Sequence, residues 1–166
     1  MRTSFALLAL LVASGAHAVD PQPQKTVAGF VAMLVVTPDK DWEQKWNTTP
    51  ERITFYQSGQ TIHRGSDLYV VTMFSNPQLD AAGAVSVVAD IDVMRPDGKA
   101  SSHAQNAVCT RGKLTGPANN FYICGQVVEF TGEPQDPLGT WSVEIVVKDE
   151  VRKVSIPLNT DFVLAE

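Results

Sequence analysis

The sequence has little positive charge and lacks the motifs by which common hydrolases are recognised. Its 166 residues include 13 Lys and Arg against 18 Asp and Glu, which gives a formal net charge of -5. A nucleic-acid backbone or an anionic lipid surface would be repelled by this charge, so no nucleic-acid partner is expected. Neither Gly-x-Ser-x-Gly nor His-Glu-x-x-His occurs, so the chain carries no signature of a serine esterase or a zinc hydrolase.

Long apolar runs are also missing. The uncharged run over residues 5–13 is shorter than the roughly 20 residues that a membrane-spanning helix needs. It follows Arg2 and precedes Ala16-His17-Ala18, where small residues occupy the positions that a signal peptidase requires. This order predicts a signal peptide over residues 1–18, cleavage after Ala18, and a periplasmic or secreted protein with no membrane anchor after cleavage.

Cysteine is scarce, with two in the chain, Cys109 and Cys124. An even number of cysteines in an oxidising compartment predicts a disulfide, and the Gly, Pro and Asn residues between these two favour a chain that folds back on itself. A catalytic thiol or a metal-binding pair is the alternative interpretation, and we favour the structural bridge because each cysteine has an evident mate.

Alternating apolar residues predict strands along most of the chain. Residues 19–26 contain two prolines and few apolar side chains, and are predicted to be a flexible leader. Turn residues recur about every ten positions, without alternation of strands and helices. The pattern predicts an all-β fold, a single antiparallel β-sandwich over residues 27–166 with seven to eight strands. The predicted strands cover residues 28–37, short segments between 53 and 62, and then 68–74, 85–94, 107–110, 121–131, 139–149 and 151–164.

Two of these strands separate their faces clearly. In 139–149 the alternation predicts that Trp141 and Ile145 are buried and Glu144 is exposed, and in 85–94 it predicts an exposed Asp90. Pro157 interrupts the last strand and is expected to bend it or to lie at a sheet edge.

One segment has a helical pattern. In the stretch Asp39–Trp46, an aspartate is suitable as an N-cap, and Trp42 and Trp46 lie four residues apart on one face. We expect a short helix whose indoles cover an open end of the core. An exposed aromatic pair that contacts a ligand is the alternative.

The C-terminal segment Asp136-Pro137-Leu138-Gly139-Thr140-Trp141, with the following strand and the final Phe162-Val163-Leu164, resembles the last two strands of immunoglobulin-like domains in bacterial envelope proteins. The resemblance implies a sandwich of immunoglobulin-like type. Trp141 stands where those domains carry a tyrosine, so an indole N–H would replace the tyrosine hydroxyl bond to the upstream backbone. Cys109 and Cys124 are too close in sequence for the inter-sheet pair of that fold, and we expect them on neighbouring strands.

Residues suited to chemistry are few and scattered. Asp90 and Asp92 lie on one strand face, about 7 Å apart at this spacing, where carboxylates are usually only solvated. The soft or borderline metal ligands form no spacing motif, so no catalytic residue, metal or cofactor is assigned. A periplasmic copper-binding protein and a small hydrolase with an unrecognised site remain alternatives. The available metal ligands are Met33, Met73, Met94, His63 and His103.

A small, acidic, exported sandwich of this kind suits protein recognition, as an accessory, inhibitor or immunity-type protein. The expected partner is another envelope or exported protein. Two long polar loops, 37–52 and 96–106, are the predicted contact surface, since irregular segments of this length are often functional. Exposed sheet edges are the second choice. The candidate partner-binding residues are Trp42, Trp46, Asp97 and His103.

Overall fold

A computed structural model describes residues 24–166 as two β-sheets packed face to face. One helix, α1, and one 3-10 turn at Pro50–Arg52 interrupt the strands. The elements are β1 Gln24–Val27, β2 Phe30–Thr37, α1 Trp42–Thr48, β3 Gln60–His63, β4 Asp67–Ser75, β5 Val85–Met94, β6 Ala100–Gly112, β7 Phe121–Thr131, β8 Gly139–Asp149 and β9 Val154–Ala165.

The first sheet has the strand order β1-β2-β4-β7, and the second has the order β3-β9-β8-β5-β6. Neighbouring strands are antiparallel apart from β3 and β9, which run parallel. The predicted all-β sandwich with one short helix is confirmed, but the described residues form nine strands instead of the predicted seven to eight, because β1 lies partly in the segment expected to be a leader. No helix within these residues is both long and apolar enough to cross a membrane.

The core lies between the two sheets and is built from the inward-facing residues of both. Aromatic rings fill one end of it: the ring centroids of Phe130 and Trp141 are 4.8 Å apart, and those of Phe130 and Phe162 are 4.7 Å apart. Trp141 and Ile145 are each 1% exposed and Glu144 is exposed, as the alternation predicts. Asp90 is half-buried rather than exposed, because Lys148 from the neighbouring strand pairs with it.

The sequence pattern locates four of the strands accurately. Strands β5, β7 and β8 have the predicted bounds, and β4 is longer than predicted by one residue at each end. Pro157 lies where β9 has no strand on its second side, because β3 pairs only with Phe162–Ala165. Because no strand pairs with β9 on that side, the absence of an N–H in Pro157 removes no inter-strand hydrogen bond there, as expected for an edge position.

The predicted flexible leader over residues 19–26 is wrong at its C-terminal end. Strand β1 includes residues 24–26, which the sequence assigned to a flexible segment, and Gln24 lies opposite Met33 of β2. All four β1 residues are exposed, so their side chains show no alternation of apolar residues. The strand pairs with the sheet edge through backbone hydrogen bonds, which do not depend on such an alternation. Residues 1–23, including the predicted signal peptide over 1–18, lie outside the described residues.

A larger correction concerns the predicted loop over residues 96–106. Only the tight turn around Asp97 and Gly98 is irregular; strand β6 begins at Ala100 and continues to Gly112, taking in the short strand predicted at 107–110. Strand β6 is the outermost strand of its sheet, and most of its residues are exposed. An edge strand with little buried surface lacks apolar alternation, which is why the sequence pattern resembled a loop.

Two other predicted boundaries move. Helix α1 runs over Trp42–Thr48 instead of Asp39–Trp46. Asp41 occupies its N-cap position without a side-chain capping bond, and the carboxylate of Asp39 accepts the N–H of Thr54 at 2.8 Å. The strand expected near residue 53 is absent from the described structure, since that segment crosses between the sheets. It is fixed by the bond from Tyr56 N–H to the Val36 carbonyl and by that from Gly59 N–H to the Asp161 carbonyl.

Candidate functional site

The predicted disulfide between Cys109 and Cys124 is present and buried. Cys109 lies on β6 and Cys124 on β7, which are outermost strands of different sheets. The bridge is therefore an inter-sheet pair, contrary to the expectation that the two cysteines are too close in sequence for one, because the chain crosses from one sheet to the other between the consecutive strands β6 and β7. The bridge joins the two sheets along one side of the sandwich, with the two Cα atoms 4.1 Å apart.

Near the bridge, β6 and β7 approach each other closely. A Cβ atom placed on Gly125 would lie 3.7 Å from the carbonyl oxygens of both Val108 and Cys109. Beyond this point the two strands separate, and a groove of about 410 Å³ opens between them. We call it the inter-sheet groove; its lining residues are Ile91, Val93, Ser101, Ser102, Ala104, Gln126, Val127, Val128, Glu129 and Phe130.

The inter-sheet groove has an apolar floor and a polar rim. Ile91 and Val93 of β5 are 6% and 5% exposed and form part of the sandwich core, while Phe130 of β7 is half-buried. Ser101, Ser102, Gln126 and Glu129 are exposed on the two bordering strands. Among the described residues, β6 pairs only with β5 and β7 only with β4, so each strand has a second edge without a strand partner.

Of the predicted partner-binding residues, His103 lies on β6 next to the groove. Its ring nitrogen Nδ1 is 2.5 Å from Oδ1 of Asp92, its cross-strand neighbour. His103 is not part of the groove lining, and the pair lies on the outer face of the five-stranded sheet.

Asp90, two residues before Asp92, is held differently. Lys148 Nζ lies 2.5 Å from its carboxylate, and the backbone N–H of Asn106 donates to it at 2.9 Å. The hydrogen bond from Lys148 lowers the pKa of Asp90, against the opposing effect of burial. Asn106 has a positive φ of 50°, next to a register shift in the β5–β6 pair, so these bonds stabilise a bulge in the edge strand.

Asp97 belongs to the β5–β6 turn, where its carboxylate accepts the backbone N–H of Lys99 at 3.1 Å and pairs with the Lys99 ammonium. The hydrogen bond from that backbone N–H lowers the pKa of Asp97. These contacts are within the turn, so they explain how Asp97 shapes the hairpin.

Trp42 and Trp46 lie on the other sheet. Both are half-buried on the outer face of the four-stranded sheet, against a cluster that includes Val35, Val71 and Met73. They therefore cover a sheet face and not an open end of the inter-sheet core. The helix and the β5–β6 hairpin belong to different sheets, so the structure does not unite the four predicted residues in one surface.

The residues considered as metal ligands do not assemble. His63 lies on β3 and His103 on β6, at opposite edges of the five-stranded sheet. Met33 and Met73 are cross-strand partners inside the apolar cluster below α1, and Met94 ends β5. Within residues 24–166, no three His, Cys, Asp or Glu side chains come together as metal ligands would.

The corner before β8 has the hydrogen bond that the resemblance implied. The indole Nε1 of Trp141 donates to the carbonyl of Pro137 at 3.0 Å, and the guanidinium of Arg95 lies 6.0 Å from the centre of the indole ring. This bond fixes the chain as it enters β8, close to the turn that leads into β6.

Sequence reasoning missed most of the groove. Of its lining, only Ser101, Ser102 and Ala104 fall within a segment that the sequence singled out. The sequence predicts a strand for the residues on β7, but the pattern of a single strand does not show whether that strand lies at the edge of a sheet. One weak signal was available: the adjacent Gly125 and Gln126 interrupt the apolar alternation of β7 where the strands begin to separate.

No protein-family model matches the chain, and no curated protein matches its sequence. Its fold is similar to part of a family 123 glycoside hydrolase from Clostridium perfringens, described in a study of glycolipid glycan hydrolysis. The identity is 9%, the TM-score is 0.48, and the match covers 81% of this chain but 27% of the hydrolase, so this chain spans about a quarter of that protein.

A Niemann-Pick type C2 protein from the Japanese carpenter ant is a second similar structure. It is 16% identical with a TM-score of 0.37, over 63% of this chain and 79% of that protein. At these identities and TM-scores, neither likeness indicates what this chain binds or catalyses. What the structure itself establishes is a disulfide-bridged β-sandwich with a groove between its two sheets.

Proposed function

We propose that the protein is an exported binding module of immunoglobulin-like type, and that it holds an extended segment of a partner protein in the inter-sheet groove. The observation that carries the proposal is the groove itself, bordered on both sides by strands with an unpaired edge. An extended segment satisfies such an edge with main-chain hydrogen bonds, while its alternate side chains enter the apolar floor.

The shape of the groove favours a segment of a chain over a compact ligand. Its walls are two strands, β6 and β7, and its floor runs along β5 from Ile91 to Val93. Two residues of an added strand cover roughly the same distance, about 7 Å, so apolar side chains two positions apart match Ile91 and Val93 in spacing. The disulfide holds one end of the groove closed and thereby sets the separation of the walls.

We expect the protein to be exported and to meet its partner in an oxidising compartment. A disulfide persists in an oxidising compartment, and the N-terminal pattern predicts a cleaved signal peptide. The intact mass of the protein recovered from its native compartment tests this part of the proposal. A mass that begins after Ala18 supports export, and a retained Met1 contradicts it.

Binding is tested by selecting displayed random peptides of about nine residues, a length within the usual range of strands, on the mature protein. We expect selected peptides to protect the backbone amides of residues 101–104 and 126–130 from hydrogen exchange. Ala104→Trp, which fills the groove from β6, is expected to lower their affinity by at least about tenfold. Gln105→Trp, at an exposed residue of the same strand outside the groove lining, is the matched control.

Two results would overturn the proposal. One is a selection that enriches no peptide protecting the groove strands. The other is binding that persists in Ala104→Trp while the variant retains the thermal stability of the Gln105→Trp control.

A further inference from the structure

The inter-sheet groove carries one unneutralised charge. Glu129 lies on β7, is exposed, and is the only charged residue in the groove lining. None of the ion pairs formed among residues 24–166 includes it.

Other carboxylates near the two groove strands have partners within the protein itself. Asp67, opposite Thr131 of β7, pairs with Lys40 at 2.6 Å. Asp90 pairs with Lys148, and Asp92 lies against His103. Each of these carboxylates has a partner within the fold, so Glu129 differs from them in being available to a bound molecule.

The rest of the groove lining is uncharged, so Glu129 alone decides which charge an occupant can carry there. It consists of aliphatic and aromatic side chains, with two serine hydroxyls and one amide. An acidic side chain in the occupant would meet Glu129 without any cation in the lining to compensate it, which disfavours binding. A basic side chain would meet a complementary charge beside an apolar surface. The net charge of -5 adds a long-range preference of the same sign.

Resting on the proposed function, we propose that the groove selects extended protein segments that carry a lysine or arginine opposite Glu129, between apolar residues that enter the floor. The apolar positions provide the burial, and the basic position sets the register of the segment along β7. The charge therefore acts on specificity, since a segment shifted by one residue would direct its basic side chain to the floor near Ile91 and Val93.

The same peptide selection tests this preference when it is repeated on variants of Glu129. On the wild-type protein we expect enriched peptides to alternate apolar residues and to contain Lys or Arg between them. Glu129→Lys is expected to weaken these peptides by about tenfold or more and to shift its own selection towards Asp and Glu. Glu129→Gln is expected to weaken them less and to reduce the dependence of their affinity on salt.

Glu51→Lys is the matched control. It makes the same change of charge at an exposed glutamate in the turn after α1, outside the groove lining. We expect it to leave the selected peptides bound with unchanged affinity. A loss of affinity in both Lys variants would indicate a general effect of net charge and would overturn the role of Glu129.

The possible failures are distinguishable. Peptides that protect the groove strands, lose affinity in Ala104→Trp, lack basic residues and tolerate Glu129→Lys would overturn this inference and leave the proposed function standing. Absence of any groove-dependent peptide would overturn both. A dimer of this chain that dissociates on Ala104→Trp, measured by sedimentation, would identify a second copy as the occupant and also overturn both.

Discussion

At the scale of single residues, Trp141 combines packing, ring contacts and a hydrogen bond in one side chain. It is buried, its ring centroid lies 4.8 Å from that of Phe130 and 6.2 Å from that of Phe162, and its N–H bonds to Pro137. The same side chain thus packs the aromatic end of the core and satisfies the carbonyl of the corner that precedes β8.

We expect Trp141→Ala to lower the free energy of unfolding by about 3–5 kcal/mol, because it removes a large buried side chain and leaves a cavity. Trp141→Phe should cost less, since it keeps a ring in the core and loses mainly the bond to the Pro137 carbonyl, about 1 kcal/mol, and some volume. Urea unfolding of the three proteins measures the difference. An alanine variant as stable as the wild type would contradict the described packing.

Asp90 predicts a specific dependence on pH. Its folded pKa is below its ordinary value near 3.8, mainly because Lys148 donates a hydrogen bond to it. A lowered folded pKa means that its stabilising contribution is present above the ordinary value and is lost as pH falls through the folded pKa. We therefore expect Asp90→Asn to be less stable than the wild type at pH 7, by about 1 kcal/mol, and the difference to shrink below about pH 4.

Thermal unfolding between pH 2.5 and 7 checks this expectation. Glu51→Gln is the control, because Glu51 is exposed and belongs to none of the ion pairs of the described residues. A constant difference in stability between Asp90→Asn and the wild type across this range would be evidence against the ionic pairing.

At the scale of elements, α1 is stabilised by what it covers. It has seven residues, no side-chain cap at its N-terminus and no fully buried residue. A helix of this length is not stable in isolation, so its stability comes from the contacts of Trp42 and Trp46 with the outer face of the four-stranded sheet. Nearby, Lys45 Nζ lies 2.9 Å from Asp39 and 3.0 Å from Asp41, which ties the start of the helix to the preceding turn.

We expect Trp46→Ala to destabilise the protein by about 1–3 kcal/mol, since the half-buried indole removes apolar surface of the sheet from water. Gln44→Ala, at an exposed position of the same helix, should change the melting temperature little. Differential scanning calorimetry measures both. If Trp46→Ala leaves the melting temperature unchanged, the indole does not contribute to the fold and the alternative of an exposed aromatic pair regains support.

At the scale of the whole molecule, the disulfide is the covalent link between the two sheets. It closes a loop with a sequence separation of 15 residues, and it joins strands that are otherwise unpaired with each other. The sandwich is therefore fixed along this side at one point, and the groove lies directly beyond it.

Replacing both cysteines by alanine is expected to lower the free energy of unfolding by about 2–5 kcal/mol, as is usual for small exported domains. Because the bridge also holds β6 against β7, amide exchange should become faster over residues 101–112 and 121–130 than over β8. Hydrogen-exchange mass spectrometry of the variant and the wild type makes this comparison. Uniformly faster exchange in all strands would mean that the bridge stabilises the whole domain without a particular effect on the groove.

The sequence by itself determined those parts of the protein whose signal lies in neighbouring residues. Alternation located β5 and β8 and identified Trp141 and Ile145 as buried, because a strand with one face in the core repeats every second residue. The disulfide partners followed from the count of two cysteines.

Only the tertiary structure decided the order of strands, the parallel pairing of β3 with β9, and which strands stand at the edges. Edge strands such as β1 and β6 are held mainly by backbone hydrogen bonds, which leave no period in the side chains, so residues 24–26 and 100–106 resembled a leader and a loop. The groove lies between two edge strands of different sheets, β6 and β7. Since their residues are brought together by folding and not by sequence spacing, no local pattern contained the groove.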